Sequence, residues 1–351
     1  MKENTIHKVK EISFLKKIKQ KIFFLFRLNN IPVIKVYNGF GNSEKIMVLG
    51  HVLKLSPMPR KTYRQNIFIN LFSMLRLFMV VPFSNAKISV EWEGVIHETQ
   101  ASKDGFFNFE IIVNRVPKEG WNSVLVQLSE EKYFYKNIQQ EGKVYIPFAS
   151  QHAFISDIDD TFLISHSSFL RRRLIALLSR NARTRKVFEG VVNHYQLLAS
   201  GNQMNKGNPF FYVSGSEWNL YDFIVEFTRI NELPKGIFLL SRLKTITQFW
   251  KSGQMDLMTK FMRIVRIIET FPHLHFVLLG DDSQKDPEIY LSLASHFPEK
   301  IFAVYIRCVR NSNSGKTQKI IYKIESHGVN CCYFKHSSEA VVHSKMIGLI
   351  N

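Results

Sequence analysis

Residues 154–161 read Phe-Ile-Ser-Asp-Ile-Asp-Asp-Thr, and this stretch is the strongest indicator of the fold. Its apolar start is typical of a buried β-strand, and the acids Asp157 and Asp159 follow where that strand should end. Alternate residues of an extended chain lie on the same side, so both carboxylates can face one bound group. Crowded carboxylates repel each other, which is tolerable when a divalent cation lies between them or when one acid keeps a proton. Both conditions suit phosphoryl transfer.

Strands and helices alternate from about residue 149 to the end of the chain. Helical stretches such as Leu257–Thr270 separate short apolar runs of the buried-strand type, which are Phe154–Ser156, Phe210–Val213, Ile237–Leu240, His275–Leu279 and Ile301–Ile306. Alternation of this kind predicts a parallel sheet with helices on both faces. Active sites in such sheets lie at the carboxyl ends of the strands, so the residues after each run are the candidates for chemistry.

Polar side chains follow these runs. Ser214 and Gly215 come after the second run and offer a hydroxyl and backbone amides to an anionic oxygen. Lys260 begins a helical stretch and can neutralise a phosphoryl charge. The fourth run ends in a glycine turn and acids, and carboxylate oxygens are the ligands that Mg²⁺ prefers; these acids are Asp281, Asp282 and Asp286.

This ordered set resembles the haloacid dehalogenase (HAD) superfamily of phosphatases, and the residues around it resemble the catalytic domain of the actin-patch phosphatidate phosphatase family, in its bacterial-type form. The segments that carry the resemblance are Ser156–Thr161, Asn181–Arg185, Asn208–Ser214, Trp218–Asp222 and Gly280–Tyr290. It is strong over residues 149–310 and weaker to the end of the chain. It implies an α/β fold with a HAD-like, Rossmann-like parallel sheet and flanking helices.

The resemblance also implies catalytic roles. Asp157 would be the nucleophile that forms an aspartyl-phosphate, and Asp159 would protonate the leaving alkoxide and then activate water. Ser214 and Lys260 would hold the phosphoryl oxygens.

Two further sets follow from the same resemblance. Substrate binding would involve Thr161, Gly215 and Arg183, and the Mg²⁺ ligands would be Asp157, Asp159, Asp281 and Asp286. Two alternatives stay open: Asp282 could exchange roles with Asp281, and Asp286 could instead cap the next helix, because Pro287 follows it.

The first part of the chain has a different sequence pattern, dominated by β-strand runs. Residues 31–148 predict a smaller β-sandwich domain with one inserted helix, Tyr63–Phe78, and no catalytic constellation; its strands are Val33–Tyr37, Ile46–Leu53, Lys87–Trp92, Phe106–Val113 and Val124–Leu128. Residues 1–30 predict a basic amphipathic helix, which either lies on an anionic membrane surface or docks on its own protein. Residues 149–351 form the third unit, the HAD-like phosphatase domain.

Bulk properties limit the class of protein. The chain has 351 residues, a formal net charge of +18 and 45% apolar residues, which is ordinary for a globular protein with anionic partners. Three cysteines without zinc-site spacing argue against a disulfide scaffold and for a reduced, cytoplasmic compartment. No apolar run approaches the length of a transmembrane helix, so we predict none and expect, at most, peripheral contact with a membrane.

Three functions compete. The first is a Mg²⁺-dependent phosphatidate phosphatase, a reading that combines the residues with the resemblance. The second is a phosphatase for a soluble phosphomonoester, and the third is a non-catalytic membrane or protein adaptor. The basic segment 171–186 could grip a lipid phosphate or an anionic bilayer, or be a solvated helix face. No recognition motif for nucleic acid is present, so we expect no specific nucleic-acid partner.

Overall fold

The structure is a computed structural model, and it describes residues 32–55, 77–129, 138–148, 152–158, 187–201, 207–243 and 257–351. The predicted basic helix at 1–30, nearly all of the inserted helix at 63–78 and the basic segment 171–186 lie outside the described residues. None of the helices in the described ranges combines the length and the apolar character that crossing a bilayer requires.

The first nine strands form one mostly antiparallel sheet. They are β1 (Val33–Val36), β2 (Gly39–Gly41), β3 (Lys45–Leu55), β4 (Val81–Pro82), β5 (Lys87–Trp92), β6 (Val95–Gln100), β7 (Phe106–Ile112), β8 (Gly120–Leu128) and β9 (Gln139–Ile146). The long strand β3 pairs with β1, β2, β4 and β7, and β2 joins β9 in a parallel pair. All five predicted strands of this region are present, whereas β2, β4, β6 and β9 were not predicted. In β6 and β9 polar residues hide the β pattern.

Alternation of buried and exposed residues explains how this sheet encloses apolar side chains. In β5, Ile88 and Val90 are buried while Lys87 and Glu91 are exposed, so one face carries the apolar side chains. The buried side chains of β1, β3, β5, β7, β8 and β9 meet in a common core. Because these strands belong to one nine-stranded sheet, the predicted β-sandwich stays a prediction.

The last six strands form a second sheet in which every pair is parallel. They are β10 (His152–Ser156), β11 (Phe210–Glu217), β12 (Ile237–Ser241), β13 (His275–Asp281), β14 (Ile301–Arg307) and β15 (Asn330–Phe334), in the order β12-β11-β10-β13-β14-β15. The helices are α1 (Val191–Ser200), α2 (Tyr221–Ile230), α3 (Leu257–Thr270), α4 (Asp286–His296), α5 (Ser314–Glu325) and α6 (Ser337–Met346). The predicted α/β class with a parallel sheet and flanking helices is confirmed; β15 was not predicted.

Strand register sets the position of the candidate site. Strand β10 lies between β11 and β13, with Ser156 opposite Tyr212 on one side and Leu279 on the other. The backbone N–H of Asp157 continues this ladder by donating to the carbonyl of Leu279 at 2.8 Å. The residues that follow in all three strands therefore lie at one carboxyl edge.

The two sheets share one continuous apolar core. The ring of Tyr37, after β1, stacks on Trp218, after β11, with 3.9 Å between ring centroids. Phe40 of β2 contacts Phe211 of β11 edge-on at 5.6 Å. Beside these rings Lys35 Nζ donates to Asp222 Oδ2 at 2.5 Å. The antiparallel sheet is thus packed directly on the elements that carry the candidate site.

Candidate active site

Three aspartates meet at the carboxyl edge of the parallel sheet. Asp157 follows β10, Asp281 ends β13, and Asp286 begins α4. Each offers a carboxylate oxygen, and these oxygens all lie within 4.8 Å of one another. All three side chains are buried, so burial brings negative charges together in a low-dielectric setting, which is costly without positive partners.

Lys260 supplies one of these partners. It lies in the first turn of α3 and is 1% exposed. Its Nζ donates to Asp157 Oδ1 at 2.8 Å and also to Asp286 Oδ1. Burial alone would lower the pKa of Lys260, but the carboxylates of Asp157 and Asp286 outweigh it and hold that pKa above its ordinary value. The lysine is therefore a permanent cation at neutral pH.

The remaining charge fits a divalent cation. The three carboxylates of the cluster outnumber the one ammonium that Lys260 places against them. In addition, Asp286 Oδ2 is buried and has no hydrogen-bond partner among the described residues. A buried oxygen without a described partner beside two further carboxylates suits the oxygen ligands of a divalent cation.

Asp282 has a different environment from its neighbour. Its Oδ1 accepts the backbone N–H groups of Val309 at 2.7 Å and Arg310 at 3.0 Å, and its Oδ2 accepts the hydroxyl of Tyr333 at 2.7 Å. Consecutive residues at the end of a strand point to opposite sides, so only one of the pair can face the cluster. Asp286, not Asp282, accompanies Asp281 there.

A glycine makes room for Asp286. A β-carbon added to Gly280 would lie 2.6 Å from Asp286 Oδ2 and 2.7 Å from the hydroxyl oxygen of Tyr290, closer than real contacts. Tyr290 in turn donates its hydroxyl to the carbonyl of Leu279 at 2.9 Å, which ties α4 to β13. Sequence reasoning missed the supporting role of Tyr290; its position one turn after Asp286 on the same helix was the available signal.

Ser214 and Gly215 lie within β11, not after it. The strand continues to Glu217 because a register irregularity between Val213 and Glu217 lets it pair further with β12. The backbone N–H of Ser216 donates to Ser214 Oγ at 2.9 Å, and Arg263 Nη1 of α3 donates to the Ser214 carbonyl at 3.2 Å. Ser214 is thus on the strand next to β10, at the same edge as Asp157.

Three predicted site residues have no described position. Asp159, Thr161 and Arg183 lie outside the described residues, so their predicted roles stay predictions. Among the described residues, Lys260 contacts Asp157 and Asp286, and Asp281 offers a carboxylate oxygen within 4.8 Å of oxygens of both acids.

Two fungal proteins are similar in sequence to part of this chain. The chain is 32% identical over 165 residues to phosphatidate phosphatase APP1 of Saccharomyces cerevisiae, covering 46% of this chain and 26% of that protein. It is 24% identical over 208 residues to an uncharacterized protein of Schizosaccharomyces pombe, covering 58% and 32%. The chain therefore spans only about a quarter to a third of the length of these relatives.

Solved structures add little. A carbohydrate acetylesterase from Xanthomonas citri aligns over 91% of this chain and 75% of its own, with 9% identity and a TM-score of 0.32, at which no common fold follows.

The family comparison covers the whole of the site described above. Residues 152–308 match the family of the phosphatidate phosphatase APP1 catalytic domain, a range that contains Asp157, Lys260, Asp281 and Asp286. Over residues 152–308 the chain is therefore similar to the catalytic domain of phosphatidate phosphatase APP1.

Proposed function

We propose that this chain is a Mg²⁺-dependent phosphatidate phosphatase, a phosphoric monoester hydrolase that converts phosphatidate to diacylglycerol and phosphate. The observation that carries the proposal is the buried cluster of Asp157, Asp281 and Asp286, in which Lys260 bridges Asp157 and Asp286. Its position at the carboxyl edge of a parallel sheet, within the segment that matches the phosphatidate phosphatase family, supports it further.

The proposed reaction proceeds in two displacements. An oxygen of Asp157 attacks phosphorus to form an aspartyl-phosphate, while the alkoxide of diacylglycerol leaves with a proton from Asp159. Water then attacks the phosphorus, Asp159 takes its proton, and phosphate is released from Asp157. Lys260 orients Asp157, since its ammonium holds Oδ1 at 2.8 Å. Ser214 and Gly215 would bind phosphoryl oxygens, together with Thr161 and Arg183.

The proposed metal is Mg²⁺, held by Asp157, Asp159, Asp281 and Asp286. When bound it would offset negative charge on the phosphoryl oxygens. The excess negative charge of the cluster and the partnerless Oδ2 of Asp286 support this assignment.

The lipid substrate is inferred from two sources. The relative with 32% identity is a phosphatidate phosphatase, and the chain carries a net charge of +18, which favours an anionic membrane surface. We assign catalysis to a HAD-like unit at 149–351, surface contact to the basic segment at 1–30, and a supporting role to the sandwich-like unit at 31–148. The protein would act in the cytoplasm, peripherally at the membrane.

The test is phosphate release from phosphatidate vesicles by wild type and Asp157→Asn. We expect release by wild type that requires Mg²⁺ and ceases with EDTA, and a loss of at least a thousandfold for Asp157→Asn, because an amide cannot act as the nucleophile. Asp222→Asn is the matched control, since Asp222 pairs with Lys35 away from the cluster.

The same assay separates the competing functions. Turnover of soluble phosphomonoesters without turnover of phosphatidate would favour a soluble substrate. Absence of release from every ester, together with a biological role that survives Asp157→Asn, would favour the non-catalytic adaptor.

A further inference from the structure

A second site lies between the two sheets. A cavity of about 670 Å³ opens beside the carboxyl ends of β11 and β12, within the size range of ligand pockets. One wall comes from the antiparallel sheet and the other from the catalytic elements. Its apolar lining includes Phe40, Leu49, Phe106, Trp218 and Leu239.

Cations surround this apolar lining. Lys103 and Arg242 are exposed and mark the rim, while Arg263 and Arg266 are half-buried. Asp104 is the acid among the described lining residues, so positive charge predominates. An apolar interior with a cationic rim is complementary to an amphiphile that has an anionic head.

Helix α3 connects the cavity to the cluster of carboxylates. Lys260 and Arg263 are three residues apart and therefore neighbours on the helix surface. Lys260 contacts Asp157, whereas Arg263 lines the cavity and donates to the carbonyl of Ser214 on the strand beside β10. A phosphate at the carboxylates and a chain in the cavity can thus belong to one molecule.

A buried polar group in the lining also points to a ligand. His51 of β3 is fully buried, and its Nε2 has no hydrogen-bond partner among the described residues. Its Nδ1 lies 2.9 Å from the hydroxyl of Tyr37. Burial lowers the pKa of His51 to about 3, so the ring is neutral. When Tyr37 donates to Nδ1, the ring proton is on Nε2, a donor that lacks an acceptor.

We propose that this cavity binds an acyl chain of the phosphate ester substrate, with His51 Nε2–H donating to the carbonyl oxygen of the acyl ester. The inference rests on the proposed function and assigns acyl recognition to the joint between the two sheets. The antiparallel sheet then contributes half of the substrate site.

The first experiment compares two esters in one enzyme. Leu49→Trp places a larger ring in the cavity, and hydrolysis of monomeric dioctanoyl phosphatidate is compared with that of glycerol 3-phosphate. We expect the ratio of their kcat/KM values to fall at least tenfold. Ile112→Trp, at the 78% exposed end of β7, is the matched control and should leave the ratio unchanged. An unchanged ratio in folded Leu49→Trp overturns the proposal.

The second experiment tests His51 through the ester carbonyl. A dioctyl ether analogue lacks that carbonyl, and one hydrogen bond corresponds to about a two- to tenfold preference of wild type for the ester. His51→Phe should abolish this preference. Equal preference in both proteins would rule out the assigned hydrogen bond.

The third experiment needs no turnover. A monomeric diacylglycerol with brominated eight-carbon chains should quench the fluorescence of Trp218 in the full-length protein, and Trp218→Phe should remove that quenching. Absence of quenching overturns the cavity assignment. If wild type hydrolyses neither ester yet quenching persists, the proposed function fails while the acyl site stands. This measurement also decides the matter if Leu49→Trp does not fold.

Discussion

Replacing Lys260 by methionine tests whether its ammonium holds the carboxylate cluster together. Methionine has a similar length but no charge, so Lys260→Met leaves three buried carboxylates without this cation. Removing one partner of a buried ion pair typically costs about 3–5 kcal/mol, because the other charge stays buried without compensation. We therefore expect the free energy of unfolding to fall by about 3–5 kcal/mol in the absence of divalent cations.

Catalysis should fall as well. Loss of one preorganised electrostatic contact typically lowers kcat by about a hundred- to a thousandfold. Lys285→Met is the matched control, since this lysine is exposed and its Nζ lies 3.9 Å from Glu288 Oε1. An exposed pair of this kind contributes at most about 1 kcal/mol.

The assay is urea unfolding in EDTA and again with Mg²⁺. A cation that binds only the folded protein stabilises it, so Mg²⁺ should recover part of the loss in Lys260→Met. The pKa of Lys260 is raised, so its contribution is complete below the ordinary pKa of about 10.5 and is lost only as the pH rises through the folded value. The gap between wild type and Lys260→Met should thus be equal at pH 7 and pH 9. A gap below about 0.5 kcal/mol, or one no larger than that of Lys285→Met, would refute the reasoning.

Two further predictions concern a glycine and a histidine. Gly280→Ala places a methyl group 2.6 Å from Asp286 Oδ2, so Asp286 must shift. We expect the variant to bind Mg²⁺ at least tenfold more weakly, measured by the rise of the melting temperature as Mg²⁺ is added. Unchanged Mg²⁺ affinity would contradict this prediction. Burial lowers the pKa of His194 to about 3, so just below pH 6.5 this histidine binds a proton in the unfolded chain but stays neutral in the folded protein. From pH 7 to pH 5 this residue should cost about 2 kcal/mol of unfolding free energy. His194→Gln should remove that share in urea unfolding at both pH values, and an identical pH dependence would show the assignment to be wrong.

The local sequence pattern was sufficient to predict the strands that form the candidate site. The runs ending at Ser156 and Leu279 are mostly apolar and are buried at every position after the first of each strand, which is how buried parallel strands differ from one-sided ones. The position of the following acids at one edge of the sheet could therefore be predicted without information about any distant contact. Strand β15 was missed because its residues are only partly buried at the margin of the sheet and lack that pattern.

The sequence alone could not decide whether Asp282 or Asp286 joins the carboxylate cluster. Both are acids shortly after β13, and either suits Mg²⁺. The structure separates them because Asp282 faces the backbone of Val309 and Arg310, whereas the start of α4 returns Asp286 towards Asp157. Which acid turns inward depends on what each one meets in the folded chain.

The sequence by itself determined the alternating strands and helices and the order in which acids, serine and lysine follow them, because these depend on local periodicity. Only the tertiary structure decided that Lys260 bridges two aspartates and that Tyr37 and Trp218 join two sheets around a cavity. These contacts link residues far apart in the chain, 103 positions in the case of Lys260 and Asp157. They arise from three-dimensional packing, because burial favours a few residue contacts among the many that the sequence pattern alone cannot distinguish.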